Sequence, residues 1–198
     1  MAASPKKKQD TAPLNAEAWS EAALDLLATH GIDGVRIEPL AKRLSVTKGS
    51  FYWHFKDRNA LHEKMLADWC RHTTLSLIER LDHNVSSPRL RLRKLLRLPL
   101  LGKRSQHAAD VELAIRLWGR RDERARKALQ EVDGHRLSYI EKLLAECGVP
   151  AGECAARAVL AYSYLRVAAT LVAADATALM DTCEDLLIGP AASLFPQE

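Results

Sequence analysis

The sequence has no glycine-rich nucleotide loop, no histidine or cysteine spacing suited to a metal, and no nucleophile motif. His62-Glu63 followed by Leu66 fails the zinc-protease pattern, which needs histidine at that last position. An enzyme, a cofactor and a metal centre are therefore not expected. The four cysteines, Cys70, Cys147, Cys154 and Cys183, include no Cys-x-x-Cys pair, and no secretory apolar run stands near the start. Both absences predict a reduced, cytoplasmic protein. Cys147 and Cys154 lie close enough in sequence for a thiol sensor, but small buried cysteines are far commoner. The most apolar stretch, Ala151 to Ala174, is interrupted by Tyr162, Ser163, Tyr164 and Arg166. An arginine at mid-span costs about 2.5–3.5 kcal/mol in a bilayer, so no membrane partner is expected.

What the chain does have is length and a polarity of charge. Its 198 residues are 47% hydrophobic, enough to bury a real core. Lysine plus arginine against aspartate plus glutamate runs 10 to 8 over residues 1–64, 9 to 3 over 65–104 and 10 to 14 over 105–198. A chain basic at one end and acidic at the other is suited to holding nucleic acid at that end only. The first 13 residues, with Lys6-Lys7-Lys8 and no apolar periodicity, read as a disordered basic arm. It either tracks phosphates or a minor groove or is simply a solvated tail.

The most informative stretch is Glu38 to Leu61. Leu40, Ala41 and Leu44 fall at helical spacing, Ser45-Val46-Thr47 is too short for anything but a turn, and Phe51 and Phe55 fall four apart. Pro39 suits a first helical turn, and Thr47 is a suitable N-cap. The pattern is a helix-turn-helix, whose second helix enters the major groove. At about 100° per residue, Phe51 and Phe55 mark the buried side of that helix, and Gly49, Ser50 and Trp53 come out opposite. A tryptophan opposite the core, and a glycine costing about 1 kcal/mol against alanine, make sense if DNA lies there. Lys48 is placed to donate to a guanine edge, and Trp53 to pack on sugar or a thymine methyl. Arg36, Tyr52, His54, Lys56 and Arg58 are placed for phosphates, which fix register without reading sequence. The plain alternative is an amphipathic helix pair with solvated charges and core aromatics, which leaves Trp53 unexplained.

These residues resemble the TetR/AcrR family of repressors. The match rests on Leu40-Ala41, Val46-Thr47-Lys48-Gly49-Ser50, Phe51-Tyr52-Trp53-His54-Phe55 and Leu61, and it covers roughly residues 15 to 65. Ser45 stands where the family usually has glycine, and Arg58 where it usually has lysine. Ser45 is then required to take a left-handed conformation that suits it less well. The resemblance implies an all-α fold, with a three-helix DNA-binding domain over residues 14–60 and a helical ligand-binding and dimerisation domain over 61–198. Arg36, Thr47, Lys48, Gly49, Ser50, Tyr52, Trp53, His54, Lys56 and Arg58 are the implied DNA contacts.

The remaining segments read as helices. Trp19, Ala22, Ala23, Leu26 and Leu27 give one from about Asn15 to His30, stopped by Gly31. Asp57 caps a long one towards His83. Ser87-Pro88 starts a basic one, read as a solvated face, that ends at Pro99. Asp110 to Trp118 and Asp122 to about Cys147 follow, the latter loosened near Asp133-Gly134, and Gly148-Val149-Pro150 breaks the chain. The eighth and ninth helices of this count, about Ala151 to Ala174 and Ala176 to Ile188, are apolar enough to require burial against a second copy, giving a homodimer with a four-helix interface. A two-fold dimer would read a palindromic operator. The family places an effector pocket in the middle of the chain. Arg116, Trp118, His135, Tyr139, Tyr162, Tyr164 and Arg166 are the candidates to line it, although aromatics at helical spacing are more often core. The rivals are a nonspecific architectural DNA binder and a helical adaptor without an effector.

Overall fold

The computed structural model describes residues 15–100, 102–167 and 176–189, with only the helical backbone placed for 176–180. The basic arm and the expected helical stretch 168–174 lie outside the described residues. Every element among the described residues is helical. Helix α1 (Ala16–Gly34) begins at Asn15, whose side chain accepts from the Ala18 amide at 3.0 Å. Gly31 breaks it as expected, at φ 67 and ψ −178, and the chain turns through Ile32–Gly34 into Val35. Helix α2 (Ile37–Arg43) and α3 (Lys48–Tyr52) are joined by a turn in which Ser45 takes φ 56. That is the left-handed conformation which serine tolerates less well than glycine. The turn closes through Leu44 N to Leu40 O and Val46 N to Ala41 O, both 2.9 Å.

Helix α4 (Arg58–Cys70) is capped by Asp57, which accepts from the Ala60 amide at 2.9 Å. The expected uninterrupted helix to His83 is instead two helices joined by a π-helical turn, Arg71–Leu75, followed by α5 (Ser76–Asn84). Thr73 back-bonds to the Trp69 carbonyl at 2.6 Å inside this wider turn. Helix α6 (Pro88–Arg97) carries the basic run and ends in a short 3-10 turn, Leu98–Leu100. Helix α7 (Lys103–Gly119) starts seven residues before the expected Asp110, because its first turns are polar and show no apolar stripe. Helix α8 (Glu123–Glu146) runs unbroken through Asp133-Gly134, so the expected loosening is absent. Asp133 is held there by cross-helix bonds to Arg116 and Tyr162. Helices α9 (Ala151–Val167) and α10 (Ala176–Ile188) complete the chain.

Two apolar cores hold these helices. The first joins Trp19, Leu27, Leu40, Phe51 and Leu61 to Trp69, Ile115, Trp118 and Leu129, so α7 and the start of α8 pack directly on the N-terminal helices. The second joins Leu81, Leu92 and Leu96 to Ile140, Leu143, Leu144 and Ala161. The arginines of α6 are not a solvated face. Arg89 and Arg93 both bind the buried Glu184, at 3.0 and 2.6 Å, and Arg97 binds Asp181 at 2.6 Å, tying α6 to α10. Arg91 turns the other way, to Asp82 at 2.9 Å and the Val85 carbonyl at 2.8 Å.

Candidate nucleic-acid interface and ligand cavity

The candidate DNA-reading surface is built on two phenylalanines. Phe51 is fully buried and Phe55 nearly so, with ring centres 5.3 Å apart. Trp19 of α1 meets Phe51 edge-on at 5.4 Å, fixing the rotation of the short α3. On the opposite side Trp53 is 87% exposed and Tyr52 61%. Lys48, Gly49, His54 and Lys56 are exposed and Ser50 is partly so. A Cβ placed on Gly49 would meet only the Thr47 hydroxyl at 3.6 Å, an ordinary contact. Nothing inside the protein therefore requires glycine at that position. Lys48 reaches Glu38 at 2.6 Å, but both side chains are largely solvated, so the pair leaves the ammonium available to another acceptor. Arg36 is exposed at the start of α2.

Two of the expected contacts are placed differently. The Thr47 hydroxyl makes no capping bond; the Thr47 carbonyl accepts from Ser50 N at 3.1 Å instead. Arg58 faces inward, donating to the Ile32 carbonyl at 3.0 Å and to His62 Nε2 at 3.2 Å. It braces α4 against the end of α1 and is withdrawn from the surface that carries Trp53. Burial first, and then the charges of Arg58 and Arg124, hold the His62 imidazole down to a pKa of about 4. Its ring stands edge-on to Trp118 of α7, with centres 5.1 Å apart.

A cavity of about 530 Å³ opens between α5, α6, α7, α8 and α9. Arg116, Tyr139, Tyr162 and Arg166 of the expected set line it. Trp118 does not, because it belongs to the first core; His135 is on the outer side of α8, and Tyr164 packs beside the second core. The spacing did not reveal further polar groups that line the cavity, among them Glu112, Arg136 and the pair Thr73-Thr74, with Arg80 and Arg104. The available signal was Glu112 itself, a carboxylate three residues before Ile115 within the apolar stripe of α7. Glu112 accepts from Arg116 at 2.9 Å and from Arg136 at 2.8 Å, and it also pairs with Arg166. Burial pushes its carboxyl up, but Arg136 and Arg166 outweigh that and hold the pKa at about 2. Arg136 extends to Thr74 at 2.9 Å and Thr73 at 3.3 Å, hydroxyls that the π-helical turn presents. Arg116 reaches Asp133 at 2.6 Å, and the Tyr162 hydroxyl donates to Asp133 at 2.5 Å. Burial raises the Tyr162 pKa, keeping the phenol protonated and able to donate.

Cys154 is buried and its thiol points at the Val149 and Pro150 carbonyls, each 3.5 Å away. Burial raises the Cys147 pKa, which disfavours a reactive thiolate there. Among the described residues there is no cluster of metal-ligating side chains and no helix long and apolar enough to cross a membrane.

Residues 21–65 match the sequence model of the family described as "Bacterial regulatory proteins, tetR family". The class D tetracycline repressor of Escherichia coli is 39% identical over 67 residues, which is 33% of this chain and 31% of that protein. The match thus spans about a third of the length of that relative. A transcriptional regulator from Rhodococcus superposes with a TM-score of 0.68 at 20% identity, over 91% of this chain and 97% of that one. The transcriptional regulator FadR from Bacillus subtilis, solved in complex with stearoyl-CoA, superposes at 0.63 with 19% identity, over 87% and 97%. The last two likenesses are of fold, whereas the first two matches are of sequence and fall on the helix-turn-helix. The N-terminal helices thus carry the TetR-family signature, and the chain as a whole shares its fold with these regulators.

Proposed function

We propose that the protein is a dimeric, ligand-responsive transcriptional regulator of the repressor type, acting by binding rather than by catalysis. Its α3 enters the major groove of a palindromic operator, and an effector in the cavity alters that binding. The single observation that carries this reading is the 87% exposure of Trp53 on the side of α3 opposite Phe51 and Phe55. A solvent-facing helix gains nothing from an indole there, whereas a duplex offers it sugar and thymine-methyl surface. Lys48, Gly49 and Ser50 stand beside it for base edges, and Arg36, Tyr52, His54 and Lys56 for phosphates. Arg58 acts from behind this surface, as a brace. DNA as the partner implies a cytoplasmic protein.

Dimerisation through α9 and α10 is supported by Val159 and Leu160, which are 52% and 66% exposed on one side of α9 beside the exposed Ala155 and Ala156. Close-packed small residues suit a helix interface, and a two-fold dimer places two recognition helices about 34 Å apart. Effector control is supported by the course of α7. Glu112 and Arg116 face the cavity, while Trp118 at the far end of the same helix sits on His62 of α4. Beyond Trp118, Arg121 approaches Asp33 at 3.4 Å, and Arg124 at the start of α8 donates to Asn59 at 3.2 Å. A ligand that binds one position of α7 better shifts the population between operator-competent and incompetent states. FadR, of the same fold, is a precedent for a bound small molecule.

The test is selection of bound sequences from random duplexes with the full chain. A two-fold symmetric consensus is expected. An unenriched pool would favour the nonspecific architectural binder, for which all duplexes are alike.

A further inference from the structure

The ligand cavity has an excess of fixed positive charge. Arg80, Arg104, Arg116, Arg136 and Arg166 all line it, and Glu112 is the only carboxylate among the lining residues. Asp133, behind the wall, takes up part of Arg116. Three arginines are thus gathered on two carboxylates in the interior, and Arg80 and Arg104 stand exposed at the mouth without a carboxylate partner among the described residues. Arg136 and Arg166 hold the Glu112 carboxyl down at a pKa of about 2, so it stands as a carboxylate among them. Arg166 is the least satisfied of the three among the described residues: it pairs with Glu112 through Nη1 and lies over the Tyr162 ring at 4.9 Å, but its buried Nε has no acceptor among them. Most of the remaining wall is apolar, with Leu77, Ile78, Leu95, Leu98, Leu113 and Leu165, and His72, Thr73, Thr74 and Ser105 add neutral polar groups.

We propose that the effector is an amphipathic carboxylate, its apolar body held by the leucine wall and its head group drawn to Arg166 and Arg136 beside Glu112. This deepens the proposal that the cavity takes the effector, and rests on it. Guanidinium groups recognise planar carboxylates through paired, charge-assisted hydrogen bonds. Asp133 already shows that geometry from within the chain, its two oxygens accepting from Arg116 Nη1 at 3.1 Å and Nη2 at 2.6 Å. An incoming carboxylate shares or displaces Glu112 on Arg166, and so bears directly on α7. A cationic ligand meets repulsion from five guanidiniums, and a neutral one leaves the charge excess uncompensated.

The experiment uses the full chain with octanoate, decanoate, dodecanoate and naphthylacetate. Each is compared with its methyl ester and with a trimethylammonium compound of the same body, below micelle concentrations. Direct binding and release of the selected operator are both read. At least one acid is expected to bind about tenfold or more tightly than both of its matches. Arg166→Gln is expected to abolish most of that preference. Glu112→Gln, which removes the competing internal carboxylate, is expected to strengthen acid binding. The class is overturned if no acid is preferred over its ester or ammonium match, or if Arg166→Gln and Glu112→Gln both leave the preference unchanged. If an acid binds with the stated preference but never alters operator binding, the carboxylate site stands and the effector role falls. If an ester or cation is the better ligand and releases DNA, the reverse holds.

Discussion

The Trp118 indole stands edge-on to the His62 imidazole with ring centres 5.1 Å apart, and this contact joins the helix that lines the cavity to the helix that follows the recognition unit. Arg58 completes it by binding His62 on one side and the Ile32 carbonyl on the other. A displacement of α7 therefore reaches α4 and α1 through packed groups.

Trp118→Phe should loosen that joint while keeping the core filled, at a cost of roughly 1 kcal/mol in stability. Ligand affinity is expected to stay within a few-fold of the parent, while ligand-induced release of operator declines. Paired titrations of ligand binding and of operator anisotropy read the two effects separately. Release undiminished in the variant would remove Trp118 from the coupling.

His62 gives stability a pH dependence of known sign. The unfolded chain takes up a proton near pH 6.5, whereas the folded chain resists it until about pH 4. Stability is therefore fully present above pH 6.5 and is lost as pH falls towards 4, by on the order of 3 kcal/mol. Urea melts of the parent and of His62→Gln over that range should diverge, the variant having the flatter profile. Parallel profiles would mean that His62 takes up its proton at the same pH folded and unfolded.

Glu184 is the hub of the α6–α10 ion pairs, buried and bound by Arg89 and Arg93. Glu184→Ala leaves Arg93 without its acceptor and Arg89 with Asp185 alone, at 2.7 Å, and should cost about 2 kcal/mol, read as a lower urea midpoint. Asp181→Ala, which removes only the half-exposed pair with Arg97, should cost well under 1 kcal/mol. Equal effects would show that the hub has no special weight.

Gly49→Ala separates folding from DNA contact. The added methyl meets only the Thr47 hydroxyl at 3.6 Å, so stability should hold or rise by about 0.5 kcal/mol. Affinity for the selected operator should fall, since the methyl intrudes where the base edges approach. Unchanged affinity would place the DNA further from α3.

The recognition unit was legible in the sequence because its determinants are local. The four-residue step from Phe51 to Phe55 marks the buried face and Trp53 is exposed as expected, although α3 ends at Tyr52 and leaves Trp53 as its C-cap and Phe55 beyond it. Ser45 announced its left-handed turn, and Gly31 its break. Arg58 was not legible, because its acceptor at Ile32 lies 26 residues away and only the packed domain brings them together. The cavity was half legible for the same reason. Arg116, Tyr139, Tyr162 and Arg166 face inward, but periodicity cannot say which neighbour a helix face meets. Thus His135 points outward while the adjacent Arg136 reaches Glu112. Trp118 had the right chemistry for a pocket, and tertiary packing used it as the joint to His62 instead.

The central claim is that the outward face of α3 reads sequence. The most direct measurement is competition between the selected operator and a scrambled duplex of equal length, for the parent and for Trp53→Ala, with Lys56→Ala as the contrast. Trp53→Ala should erase most of the operator preference, while Lys56→Ala weakens both duplexes together and leaves their ratio intact. A Trp53→Ala protein that still prefers the operator as strongly as the parent would contradict the account.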